Sequence, residues 1–181
     1  MKYLISLYFD NRTNKQIHQY METVADVTGN DYMIANRVPP HITVSSFEMQ
    51  EMPDSTSVKL LEQRLAKALQ DIAPGEVQWV GCGAFMNTVL YLTPVLNRYL
   101  QDIMQSVYSV VSECPNAGVS KYYRPFQWLP HTTISKKLTT EELVKGFDVV
   151  QRDFHILQGR ITRIGMAIAS PYEEIAEWEL K

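Results

Sequence analysis

The stretches PPHITV (39–44) and LPHTTI (129–134) carry one small pattern twice: a proline before a histidine, and a threonine two residues after it. A β-strand turns alternate side chains to opposite faces. Read as strands, these stretches place His41 and Thr43 on one face with Ile42 and Val44 on the other. His131 and Thr133 likewise share a face, with Thr132 and Ile134 behind them. Residues two apart along a strand are separated by roughly 6.5–7 Å, so the tips of each pair can converge on one phosphate-sized group. Proline suits the first residue of a strand or a bulge, which fits Pro40 and Pro130.

Working outward, hydrophobic periodicity predicts further strands at 2–9, 77–85, 88–92, 160–169 and 174–180, with the motif strands at 41–47 and 131–135. Four amphipathic helices are predicted between them. The first has Ile17, Tyr20, Met21, Val24 and Val27 at helical spacing and stops near Gly29. The second carries Val58, Leu61, Leu65, Leu69 and Ile72. The third is read with Thr93 as N-cap and Pro94 at its first position, followed by Leu96, Leu100, Ile103, Val107 and Val111. The fourth opens with Thr139 and Glu142 as a capping box, then Leu143, Phe147 and Val150. The longest irregular stretch is 115–130, and a loop of that length is often functional.

The series strand, helix, strand, helix, strand is read twice. The two histidines lie 90 residues apart, about half of the 181-residue chain. Strands that alternate with helices suggest one domain spanning 1–181 with an α/β or α+β layer arrangement, and the repeat suggests two related lobes near 1–86 and 87–181. Each lobe delivers one Pro-His-x-Thr at the same place in its series.

Composition narrows the function classes. Hydrophobic residues make up 45% and charged residues 20%, the balance of an ordinary globular chain. The formal charge of −3 offers no excess of cations for long-duplex DNA, though a local basic patch remains able to hold a phosphate. Cys82 and Cys114 fit neither a disulfide framework nor a C-x-x-C metal motif and read as thiols in a reducing compartment. The opening MKYLISLYFD is too short for a membrane span and reads as a first strand, so a cytoplasmic location and no membrane partner are expected.

Imidazole gives or takes a proton near neutral pH because its ordinary pKa is about 6.5. Two of them facing one phosphorus supply an acid and a base for in-line displacement. Threonine hydroxyls can donate to the non-bridging oxygens, where charge builds in the transition state. A lone histidine in a strand is usually a satisfied structural residue. About 0.3 His-x-Thr tripeptides are expected by chance in this chain, so it is the doubling in matched context that argues for chemistry.

With those residues in view, the chain resembles the 2H phosphoesterase superfamily, named for two His-x-Thr/Ser motifs, and its bacterial 2′,5′ RNA ligase-like branch. VPPHITVSSF and FQWLPHTTISK look like the first and second motifs, and ITRIGMAIASPYEEIAEWELK resembles the closing strand pair. The resemblance implies an α+β fold of two pseudo-symmetric lobes of βα-type repeats, with antiparallel sheets facing across a central cleft and one motif from each. It implies a catalytic tetrad of His41, Thr43, His131 and Thr133, with no metal and no cofactor. It implies work on RNA ends, 2′,3′-cyclic phosphates, 2′,5′-linkages or small cyclic phosphodiesters. Val44-Ser45-Ser46 departs from the leucine and the aromatic or basic residue common after the first motif, which bears on substrate more than on chemistry. Lys136 falls where Arg or Lys is common after the second.

Other residues are weighed beside these. His18 reads as a solvated helix residue and His155 as structural or surface. Tyr122, Tyr123, Arg124, Phe126 and Trp128 crowd the stretch before His131; the bland reading is a loop anchored by aromatics, the functional one a base-stacking wall with a phosphate contact from Arg124. Arg37 and Lys136 are similar phosphate candidates. Ser135 shares the face of His131 and Thr133 by alternation and is expected to line the cleft floor. The function expected is a metal-independent phosphoesterase acting on an RNA end or a small cyclic nucleotide. The alternatives are a non-catalytic nucleotide- or RNA-binding module, and a two-histidine metal site, for which no third ligand stands at metal spacing.

Overall fold

The computed structural model describes residues 1–49, 55–115 and 117–181. In chain order the elements are β1 (Lys2–Phe9), α1 (Asn11–Thr28), α2 (Tyr32–Ala35), β2 (His41–Met49), α3 (Ser55–Leu69), β3 (Gly75–Phe85), β4 (Val89–Pro94), α4 (Arg98–Ser112), β5 (Ala117–Val119), a 3₁₀ turn (Lys121–Tyr123), β6 (Thr132–Lys136), α5 (Thr140–Asp153), β7 (Leu157–Ala169) and β8 (Tyr172–Glu179).

The helices form where apolar spacing and caps agree. Asp10 caps α1 by accepting from the Thr13 N–H at 2.7 Å, and Gly29 ends it at φ 75°, a conformation a side chain would strain. Ile17, Met21 and Val24 are buried along its inner face, while Val27, expected in that stripe, is exposed. α5 carries the expected capping box: Glu142 N–H donates to the Thr139 hydroxyl, and Thr139 N–H donates to the Glu142 carboxylate at 2.7 Å. α4 corrects the expected start. Pro94 closes β4 opposite Trp79, where a missing N–H is tolerated, and Leu96 is exposed outside the helix. Asn97 is the cap, its side-chain oxygen accepting from Leu100 N–H at 2.9 Å while its amide donates to Glu76. Among the described residues no helix is long and apolar enough to cross a membrane.

All strand pairs are antiparallel, in one sheet ordered β5-β2-β1-β7-β3-β4-β6, with β8 also on β7. β7 is the seam. One edge pairs with β1 along Ile161 to Ile168; the other pairs first with β3 up to Ile161, then with β8 from Arg163 on. The two strand series therefore interlock. β3, from the first half of the sequence, pairs with β4, and β7, from the second, pairs with β1. The helices interlock as well. α1 and α5 pack on each other and on the arm holding β3, β4 and β6; α3 and α4 pack on each other, α4 also on β2 and β5 and α3 on β8. The buried apolar face between helices and sheet forms one core around Ile5, Leu7, Phe9, Trp79, Ile161 and Ile164.

The two arms curl until β2 and β6, near opposite ends of the sheet order, touch. This brings the motif strands together. The stretch 115–130, apart from Asn116, which lies outside the described residues, is less irregular than expected. β5 adds to the edge of β2, Ser120 N–H donates to Ser46 C=O at 2.8 Å, and the 3₁₀ turn follows.

Candidate active site

Each histidine is set by the proline before it. The residue preceding a proline is pushed to extended backbone, and in both motifs its carbonyl meets the imidazole. His41 Nδ1 lies 2.7 Å from Pro39 O, and His131 Nδ1 lies 2.9 Å from Leu129 O. A carbonyl only accepts, so Nδ1 carries the hydrogen in both rings and Nε2 is left for a substrate. The same carbonyl-imidazole device in both halves is what fixes tautomer and ring orientation.

Opposed residues of an antiparallel pair share a face. Tyr8 stands opposite His41 and Ser6 opposite Thr43, with the two hydroxyls 3.3 Å apart. Tyr91 stands opposite Thr133. Each motif ends in a bulge that periodicity cannot reveal. Val44 is skipped between the pairs Ser6–Thr43 and Ile5–Ser45, and Ile134 between Tyr91–Thr133 and Leu90–Ser135. The bulges reverse the alternation. Ser135 is thereby turned to the core side opposite Leu90, 2% exposed, and does not line the floor beside His131 as alternation implies. Ser45 is turned in the same way opposite Ile5, and neither serine hydroxyl finds a hydrogen-bond partner among the described residues. Lys136, opposite Val89, is the next residue to reach the face of Thr133.

The two motif strands touch. The Trp128 indole N–H donates to Thr43 C=O at 3.0 Å, tying the segment before His131 to the first motif. Burial lowers the pKa of His41 most; the charges of His131 and Lys136 lower it further, against the opposing pull of the Pro39 carbonyl. Burial also lowers His131, opposed by the Leu129 carbonyl. Both rings thus favour the neutral form more than a free histidine does.

Aromatic rings buttress both. Phe85 meets His131 edge-on at 4.9 Å between centroids and Tyr91 does so at 5.5 Å, while Phe85 and Tyr91 stack at 4.2 Å. The Tyr91 ring lies over Gly83, where a Cβ would come within 2.6 Å of it. On the other arm Tyr8 sits 6.2 Å from His41 and lies over Gly165, where a Cβ would come within 2.7 Å. The Tyr8 hydroxyl bonds that of Tyr172 at 2.8 Å, and Arg163, paired with Glu177, lies over the Tyr8 ring. Burial, and then the Tyr172 hydroxyl, push the Tyr8 pKa well above its usual value. These residues were missed from the sequence. One signal was there: Gly81 and Gly83 share a face in β3, and glycine inside a strand marks close approach of something else. Gly83→Ala is expected to displace Tyr91 and with it His131. On the scale by which ångström misplacements slow a reaction, kcat should fall roughly 10- to 100-fold with melting temperature little changed. An unchanged kcat would show that the ring does not position the histidine.

The auxiliary candidates scatter. Arg37, at φ 52°, and Arg124 are exposed, and Phe126 is 90% exposed at φ 65°. Tyr123 is half-buried against the core, with its hydroxyl pKa raised by burial. Trp128 is 7% exposed; with its indole bound to the Thr43 backbone, it is a strut and not a free stacking wall. Lys136 is half-buried near His41. His18 contacts Glu22 at 3.2 Å on the surface, and His155 is exposed. Among the described residues no group of three or more His, Cys, Asp or Glu side chains is placed to hold a metal ion.

Known structures share this architecture. A protein described as a phosphoesterase superposes with TM-score 0.65 at 13% identity, covering 99% of this chain and 98% of its own. LigT of E. coli, crystallised with 3′-AMP, gives 0.64 at 12% identity with 99% and 98% coverage. TT0787 of Thermus thermophilus gives 0.61 at 14% identity with the same coverage. At such identities the likeness speaks for the fold alone. No curated protein matches the chain. The model of the 2′-5′ RNA ligase superfamily matches residues 14–170, which include both His-x-Thr strands, the seam strand and every helix but the first few residues of α1. With most of its length under that match and the two-armed antiparallel sheet in place, the chain belongs to the 2′-5′ RNA ligase superfamily, the 2H phosphoesterases.

Proposed function

We propose that the protein is a phosphoesterase acting on a 2′,3′-cyclic phosphate or a 2′,5′-phosphodiester of an RNA end or small nucleotide. In hydrolysis of a cyclic phosphate, the Nε2 of one histidine takes a proton from water as its oxygen attacks phosphorus. The bond from phosphorus to one ribose oxygen breaks, and the other histidine gives that oxygen a proton. Thr43 and Thr133 donate to the non-bridging oxygens. The scheme routes no step through a metal. The observation that carries this reading is the matched pair of imidazoles, each tied at Nδ1 by the carbonyl two residues back so that Nε2 is left for a substrate, each with a threonine two residues on. Solved relatives point the same way, one described as a phosphoesterase and another, LigT of E. coli, complexed with 3′-AMP.

The test is a panel of 2′,3′-cyclic nucleotides, 2′,5′-linked dinucleotides and cyclic dinucleotides, with product analysis in saturating chelator. Turnover of one class that survives the chelator is expected. Tight binding with no product from any of them would instead favour a binding module.

The lowered histidine pKa values add a pH expectation. The profile of kcat/KM, which reports the free enzyme, should be a bell centred on the acid side of about 6.5. Stability should respond too. A histidine whose folded pKa lies below its unfolded value binds fewer protons when folded, so its contribution is present above about 6.5 and is lost as the pH falls below it. Melting temperature followed from pH 8 downward should fall less steeply in His41→Gln than in the parent. Parallel curves would mean that His41 titrates alike in both states.

A further inference from the structure

One basic cluster beside the tetrad is not used by the chemistry above. Lys136 Nζ lies 4.9 Å from the centre of the Tyr32 ring, and Lys137 Nζ lies 4.2 Å from the same centre. Two ammonium groups thus share one ring, an arrangement that each ring contact favours and their mutual repulsion opposes. Neither has a carboxylate partner among the described residues, although the chain carries a formal charge of −3. The cluster is held together by one side chain. The Asn30 amide oxygen accepts from Tyr32 N–H at 3.2 Å, and its amide nitrogen donates to Lys137 C=O at 3.2 Å. Beyond Lys137 the chain is pinned again, Leu138 N–H donating to Thr88 C=O at 3.0 Å. Tyr32 packs on the core from α2, which contacts β6.

The position suits a second anion on the same substrate. Lys136 follows Thr133 by three residues on β6, a separation of at most about 10 Å, so the cluster begins within a nucleotide's reach of the reacting phosphorus. Beyond the bulge at Ile134 the register returns Lys136 to the face of Thr133, and its charge helps lower the pKa of His41. Compact ammonium groups suit a phosphate as point charges and read no base. Resting on the nucleotide reading above, we propose that Lys136, Lys137 and Tyr32 form a second-phosphate subsite. It would favour substrates carrying another phosphate one position away from the reacting one, whether a 5′-phosphate or an internucleotide phosphate.

The experiment reads binding, so that it does not depend on turnover. Dissociation constants of the intact protein are measured for adenosine 3′-phosphate and adenosine 3′,5′-bisphosphate, in the parent, Lys137→Ala and Lys137→Arg, at low and high salt. The bisphosphate should bind at least about tenfold more tightly, the worth of one hydrogen bond to a charged group. Lys137→Ala should bring the ratio towards one, Lys137→Arg should keep most of it, and salt should shrink it. A dinucleotide carrying an internucleotide phosphate, compared in the same way, tells which of the two phosphates is preferred; an advantage for either supports the subsite. Equal affinity of the parent for the one- and two-phosphate ligands would overturn the proposal, as would a ratio that Lys137→Ala leaves intact. Absence of turnover in the same preparations, with the binding ratio present, would remove the reading of function and leave the subsite standing.

Discussion

Replacing His41 or His131 by alanine is expected to lower kcat at least about 10²-fold, the usual worth of a positioned general acid or base. The two losses should not multiply. Acid and base act on one displacement, so a double variant should be little slower than the worse single one. The Nδ1 contacts sharpen the expectation. Asparagine at either position can imitate the Nδ1 donor to the carbonyl but offers no titrating Nε2, so His41→Asn and His131→Asn should be folded and as slow as the alanine variants. Circular dichroism and single-turnover rates on the four proteins check this. Parent-like turnover in any one of them would remove that histidine from the chemistry.

The second large effect is on stability. Trp79→Ala is expected to destabilise the protein by about 3–5 kcal/mol, the range for loss of a buried large aromatic. Trp79 is fully buried, meets Phe9 edge-on at 5.1 Å and donates its indole N–H to the Thr132 hydroxyl at 3.0 Å. Thr132 lies between His131 and Thr133, so this bond supports the second motif from behind. Trp79→Phe keeps much of the packing and leaves a buried hydroxyl unpaired, a loss of about 1–3 kcal/mol. Urea unfolding of both variants measures the difference. A Trp79→Ala midpoint equal to the parent's would show that the core closes around the gap at no cost.

The alternation over 41–43 and 131–133, the capping box at Thr139 and the strand at Lys2–Phe9 depend only on neighbours along the chain, and those readings hold. Failures came where a distant partner decides. β5 exists because the edge of β2 is there to pair with, and no local signal in 117–119 competes with that. Pro94 fits a helix start as well as a strand end, and its pairing with Trp79 settles which. Counting twos puts Ser135 on the face of Thr133, and a bulge at Ile134 removes the count. Trp128 looks like a stacking ring until its indole is seen bound to Thr43.

Sequence alone determined which groups stand in the proposed site: two imidazoles, each with a hydroxyl two residues on and a proline one before, in two matched series of elements. Those relations are short-range, set by backbone period and by proline's ring. Only the tertiary structure decided how they meet. The seam strand β7, the curl that joins β2 to β6, the tyrosines lying over Gly83 and Gly165 and the lysine pair on Tyr32 all need residues far apart in the chain to be in contact. Such contacts are chosen by packing of the whole core, which no local pattern encodes.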